Sequence, residues 1–153
     1  MWTTDQRNRL ALEHAILQQQ GFTQFGVYWN KESDTYYASG YASANSGRKY
    51  FLYMPIPFGF PDRRPPLYIT DPRPLLDAEG RTLVSLGVSH AMHTLTPEAG
   101  WVQICHWKDD RWHSNILLHK VFLKGHLWIE AYEQHLATRR PISEFVQTMV
   151  GIS

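Results

Sequence analysis

Phe51-Leu52-Tyr53-Met54-Pro55-Ile56-Pro57-Phe58-Gly59-Phe60-Pro61-Asp62-Arg63-Arg64-Pro65-Pro66 begins as the end of a strand and becomes a run of prolines. Proline fixes φ and removes a ladder donor, so the strand entering from Arg48 is expected to stop near Met54. Seven of the nine prolines fall between Pro55 and Pro74, interrupted by the strand-like run Leu67-Tyr68-Ile69-Thr70. This reads as a rigid surface path around a short fourth strand.

Upstream, the pattern has period two. Phe25, Val27 and Trp29 alternate with Gly26 and Tyr28, Lys31-Glu32-Ser33-Asp34 marks a turn, and Thr35 to Tyr41 forms the next strand. A turn at Ala44-Asn45-Ser46-Gly47 then leads into the strand at Arg48, so short links join these strands into an antiparallel meander. Before them, Thr3-Thr4-Asp5-Gln6 offers a capping box, in which a threonine side chain caps the first turn and Gln6 reaches back. A helix is expected from Thr4 to about Gln20, with Gly21 as its stop.

Downstream, Leu75 to Gly100 gives a poor local signal, with Val84 to Val88 as a candidate strand. After Trp112 the period becomes helical, as Leu118, Phe122, Gly125, Ile129, Tyr132 and Leu136 step by four and three along about five turns. Gly125 inside that helix points to close packing or a kink. Pro141 suits the first turn of a last short helix to about Val150.

One α+β domain over residues 1–153 is therefore expected: an N-terminal helix, a four-stranded antiparallel meander, a cysteine-bearing loop and C-terminal helices. Fifteen basic against fourteen acidic side chains give a formal charge of +1, with no overall field towards nucleic acid or an anionic membrane. The single cysteine forms no internal disulfide, the N-terminus lacks a secretory pattern, and no apolar run approaches the roughly 18 residues that span a bilayer. The expectation is a cytoplasmic protein that binds neither nucleic acid nor membrane.

Chemistry concentrates in Ile104-Cys105-His106, followed by Trp112 and then by Lys120-Val121 at the start of a helix. Together with Phe51 to Met54, Pro57, Phe60-Pro61 and Pro65-Pro66, this resembles the ubiquitin-conjugating-enzyme fold family. There a third strand runs into a Tyr-Pro-x-x-Pro-Pro turn, and an Ile-Cys-Leu motif precedes a tryptophan and a helix. Phe60 stands for the tyrosine, one extra residue precedes the double proline, His106 replaces the leucine, and Trp112 falls within one residue of the usual spacing. Two departures stand out. The stretch from Pro66 to Cys105 is longer than in eukaryotic members, and no His-Pro-Asn triplet precedes the cysteine.

Similar divergent forms occur in bacterial anti-phage operons of the CBASS type, beside a cyclic-nucleotide synthase (a cGAS/DncV-like nucleotidyltransferase). Others occur in bacterial ubiquitin-like modification operons. The resemblance implies that Cys105 accepts the C-terminus of the synthase or of a ubiquitin-like protein as a thioester and passes it to an amine. A separate activating enzyme would consume ATP, and the step at Cys105 would need no metal or organic cofactor. The opening helix and the loops near Pro61 correspond to the family's partner-binding surfaces.

A thiolate attacking an activated carbonyl needs little beyond exposure, and His106, Lys108 and Arg111 are candidate cations to favour it. Without the family asparagine, His93, His113 and Asn115 are candidates for donating to the oxyanion, with helix capping as the other role for Asn115. Trp112 is expected to pack under the cysteine loop. A non-catalytic binding module that has lost the chemistry is the main alternative. His90, His93, Cys105 and His106 carry zinc-ligand chemistry and so a hydrolase option, but their spacing matches no standard zinc motif. His14, His119, His126 and His135 read as ordinary helix residues, Arg63-Arg64 and Arg139-Arg140 as solvated charge pairs. The tyrosines and Trp29 of the meander read as a packed sheet face rather than a base-stacking platform.

Overall fold

A computed structural model of the chain describes residues 1–146. Helix α1 (Thr4–Gln19) starts at the expected capping box: Thr3 Oγ1 accepts from the Gln6 amide at 3.0 Å, and Gln6 Oε1 accepts from the Thr3 amide at 2.9 Å. It ends in a Schellman arrangement, with Gly21 at φ 85° and the Phe22 amide donating to the Leu17 carbonyl at 2.9 Å. Gln6 also donates to the carbonyls of Phe58 and Phe60, so the first turn of α1 holds the proline path.

Strands β1 (Phe25–Asn30), β2 (Thr35–Ser43), β3 (Lys49–Ile56) and β4 (Leu67–Asp71) form the expected meander. The sheet does not stop there. The poorly patterned stretch supplies β5 (Thr94–Glu98) and β6 (Trp101–Ile104), giving an antiparallel order β1-β2-β3-β4-β6-β5. Six strands thus replace the expected four. Ala99 and Gly100, at φ 52° and 79°, make the two-residue hairpin turn, whose hand matches the strand twist. The candidate strand at Val84–Val88 is also corrected. Leu83–Leu86 is a one-turn helix, α2, started by Thr82, whose hydroxyl accepts from the Ser85 amide.

Helix α3 (Leu118–Thr138) lies against the sheet, burying Leu118, Phe122, Trp128 and Ile129 among Leu52, Leu67, Ile69 and Ile104. A Cβ at Gly125 would stand 2.9 Å from Leu67 Cδ2 and 3.2 Å from Leu52 Cδ1, so close packing explains this glycine. Gly125→Val is expected to lower stability by about 1–3 kcal/mol through overpacking, measured by urea unfolding. Helix α4 (Ile142–Phe145) follows Pro141, and the rest of the expected last helix, to Val150, lies outside the described residues.

The start of α3 is held by a buried carboxylate rather than by its own cap. Glu13 accepts from the Leu118 amide at 3.0 Å and from Arg9 at 2.9 Å, although burial raises its pKa against those favourable contacts. On the other sheet face, rings meet one another across strands, Tyr28 with Tyr37, Tyr37 with Tyr53, and Tyr53 and Tyr68 with Trp101. Tyr28 and Tyr41 remain 45% exposed, so this face is only partly the packed surface expected. Among the described residues no helix is long and apolar enough to cross a membrane.

Candidate active site

Cys105 is the first residue beyond β6. Leu67 pairs with Ile104, and continuing that antiparallel register sets Pro66 opposite Cys105 and Pro65 opposite His106. The double proline cannot donate to such a ladder, and a side chain replaces the missing backbone bond: His106 Nε2–H donates to the Pro65 carbonyl at 2.7 Å. Trp112 Nε1 donates to the Pro61 carbonyl at 2.8 Å, while its ring meets Trp107 and His106 edge-on at 6.1 and 6.2 Å. Trp112 packs beneath the cysteine loop, as expected, and joins it to the proline turn.

The other flank is held by β5. The Cys105 amide donates to the His93 carbonyl at 3.1 Å, and Trp128 Nε1 donates to the Met92 carbonyl at 3.0 Å. The backbone of Cys105 is therefore clamped between the proline turn and the Met92-His93 bend. Its thiol is free and only partly buried.

Burial pushes the Cys105 thiol above its ordinary pKa, and Arg64, Lys108 and Lys124 pull in the opposite direction without cancelling it. Only Lys108 of the expected cations acts in this way. His106 is buried and neutral, its pKa driven down to about 3 by desolvation, and Arg111 lies exposed on the 3-10 turn Asp109–Arg111. Arg64 is not the solvated charge its neighbour Arg63 suggested. Its side chain is 13% exposed and its Nε donates to Asp109 Oδ1 at 2.7 Å.

Lys124 was not legible as a site residue. It is 6% exposed on α3, with Nζ 3.5 Å from the centre of the Trp107 ring and 3.4 Å from the His106 carbonyl. The available signal was its spacing from Val121 and Trp128, which places a lysine inside a helical apolar stripe.

The oxyanion candidates separate. His93 reaches the site through its backbone, and burial lowers its ring pKa, so it is a neutral imidazole near neutral pH. His113 and Asn115 are exposed in the link before α3, and no hydrogen bond joins either side chain to Cys105 among the described residues. Asn115 is not the cap of α3 either: the N-cap is Leu117, without a side-chain bond, and Glu13 takes that function. Among the described residues no three His, Cys, Asp or Glu side chains are grouped to hold a metal ion, so His90, His93, Cys105 and His106 do not assemble a zinc set.

No protein-family model, no curated protein and no solved structure matches the chain. The chemistry of the site accordingly rests on its geometry. A partly exposed thiol on a clamped loop, with cations around it, fits attack on a carbonyl that another molecule has already activated. The upward-shifted thiol predicts that alkylation of the native protein by iodoacetamide accelerates about tenfold per pH unit from 7 to 9 without a plateau. A plateau near pH 7 would show that the three cations outweigh burial.

Proposed function

We propose that Cys105 is the nucleophile of an acyl carrier of the ubiquitin-conjugating-enzyme type. It accepts the C-terminus of a partner protein as a thioester and transfers it to an amine. The observation that carries this reading is the placement of Cys105 at a strand end, partly exposed, its amide held by His93 and its loop tied to the proline turn through His106 and Trp112. The order of opening helix, meander, proline turn, cysteine loop and closing helix supports it. The donor is a cyclic-nucleotide synthase or a ubiquitin-like protein, the setting bacterial anti-phage defence in the cytoplasm, and an activating enzyme supplies the first acyl group.

The acyl group moves between sulfurs of similar bond energy, so the step needs positioning rather than a deep pocket. A cleft of about 340 Å³ lined by Asp77, Met92, His135 and Arg139 does not include Cys105. The second reading, a binding module without chemistry, is favoured by one observation, the raised thiol pKa. A synthetic peptide thioester ending in glycine separates the two. The carrier acquires a reductant-labile peptide adduct at Cys105 and Cys105→Ala acquires none, whereas the binding module leaves both proteins without an adduct.

A further inference from the structure

Lys124 is a buried ammonium with an incomplete set of partners. Among the described residues no carboxylate forms an ion pair with it, and its contacts are the face of Trp107 and one long hydrogen bond to the His106 carbonyl. An ammonium carries three donors, and burying one without an anion is costly. The two residues it touches directly follow Cys105, so the charge is held against the loop that presents the thiol.

We propose that Lys124 is the charge partner of the Cys105 thiolate, stabilising the sulfur anion when it attacks and again when it leaves. The proposal rests on the acyl-carrier reading for its chemical consequence. In loading, the S–C bond to Cys105 forms as the donor's C–S bond breaks and the donor's thiolate departs. In discharge, the acceptor's N–C bond forms, its proton passes to water, and the electron pair of the broken C–S bond returns to Cys105 sulfur beside the ammonium. Negative charge on that sulfur appears in both steps, so a fixed cation accelerates both.

The electrostatics agree in both directions. Lys124 opposes the burial that raises the thiol, and burial lowers the pKa of Lys124 while Cys105 is the group that raises it. The other charged or titratable groups around the pair are Arg64, Lys108, His93 and His106. Arg64 and Lys108 both act on the thiol more strongly than Lys124. Arg64, however, is already committed to Asp109, Lys108 is exposed to solvent, and the two imidazoles are neutral near pH 7. This leaves Lys124 as the buried cation of the group without a carboxylate partner among the described residues.

The test compares iodoacetamide alkylation of wild type, Lys124→Met and Lys124→Arg between pH 6 and 10, with rates in 8 M urea as the reference for an unfolded thiol. Methionine removes the charge and should slow the native reaction about tenfold at pH 8, the effect of one pKa unit. Arginine keeps both the charge and the ring contact, and should stay within about threefold of wild type. A wild-type rate for Lys124→Met, or a Lys124→Arg variant as slow as Lys124→Met, overturns the proposal.

A reciprocal measurement needs no change at Lys124. By NMR its ammonium should titrate at higher pH in wild type than in Cys105→Ser, and identical titrations overturn the pairing. Both measurements are independent of any acyl donor. Failure of wild type to load a peptide thioester would count against the carrier reading alone, whereas equal loading rates for wild type and Lys124→Met would remove Lys124 from the mechanism and leave the carrier standing.

Discussion

Trp128→Ala should lower the unfolding free energy by about 3–5 kcal/mol, among the largest losses for any single truncation in this fold. Trp128 is fully buried on α3, stacked on Tyr132 with ring centres 5.4 Å apart and planes within 6°. Truncation removes that stack and also leaves the Met92 carbonyl without its 3.0 Å donor. Because Met92 precedes the residue whose carbonyl holds the Cys105 amide, the damage extends to the site. Hydrogen exchange should show lost protection at the Cys105 amide beyond the global loss, and urea unfolding gives the stability change. A loss under about 1 kcal/mol would show that α3 does not carry the core in this way.

The second large effect is a dependence of stability on pH centred on His106. Its pKa, ordinarily 6.5, is driven down to about 3 by burial, with Arg64 acting in the same direction and the hydrogen bond to Pro65 opposing. The unfolded chain therefore binds a proton in a range where the folded protein does not. The stability contributed by neutral His106 is fully present above pH 6.5 and is lost as pH falls towards 3, at up to about 1.4 kcal/mol per pH unit. In His106→Gln, whose amide can still donate to Pro65, stability should fall less steeply with acidification by up to that slope. Parallel wild-type and variant curves between pH 4 and 6.5 would show that His106 is solvated or already charged.

The parts of the fold that were legible are those whose signals are local. The Thr3–Gln6 capping box, the stop at Gly21 and the alternation through Phe25, Val27 and Trp29 involve neighbours along the chain. The long stripe of α3 was equally plain, because a buried helix repeats its period over many turns. The β5-β6 hairpin was hidden because Pro97 and two threonines interrupt the apolar alternation of Thr94–Glu98, and its turn uses Ala99-Gly100 rather than Asn-Gly. At Val84–Val88, the cap from Thr82 overrode β-branched propensity.

Within the site, Cys105 and Trp112 could be picked out by order and spacing and Lys108 by its nearness along the chain, but the other cations around the thiol could not. Arg64 and Lys124 act on the thiol because a strand pairing and a helix crossing bury them there, 41 and 19 residues away along the chain. Charge type alone pointed to His106, which the same burial makes neutral. Burial of a charge is a tertiary property, and only a charged residue inside an apolar period, as at Lys124, gives advance notice of it.

The acyl-carrier account is tested most directly by intact mass spectrometry of the protein co-expressed with the products of neighbouring genes, with and without reductant, beside Cys105→Ser and Cys105→Ala. The account predicts a reductant-labile adduct of one neighbour on wild type, a reductant-stable ester on the serine variant and none on alanine. Absence of any adduct, even with an activating enzyme and ATP supplied, would contradict it and leave the binding module as the function of this fold.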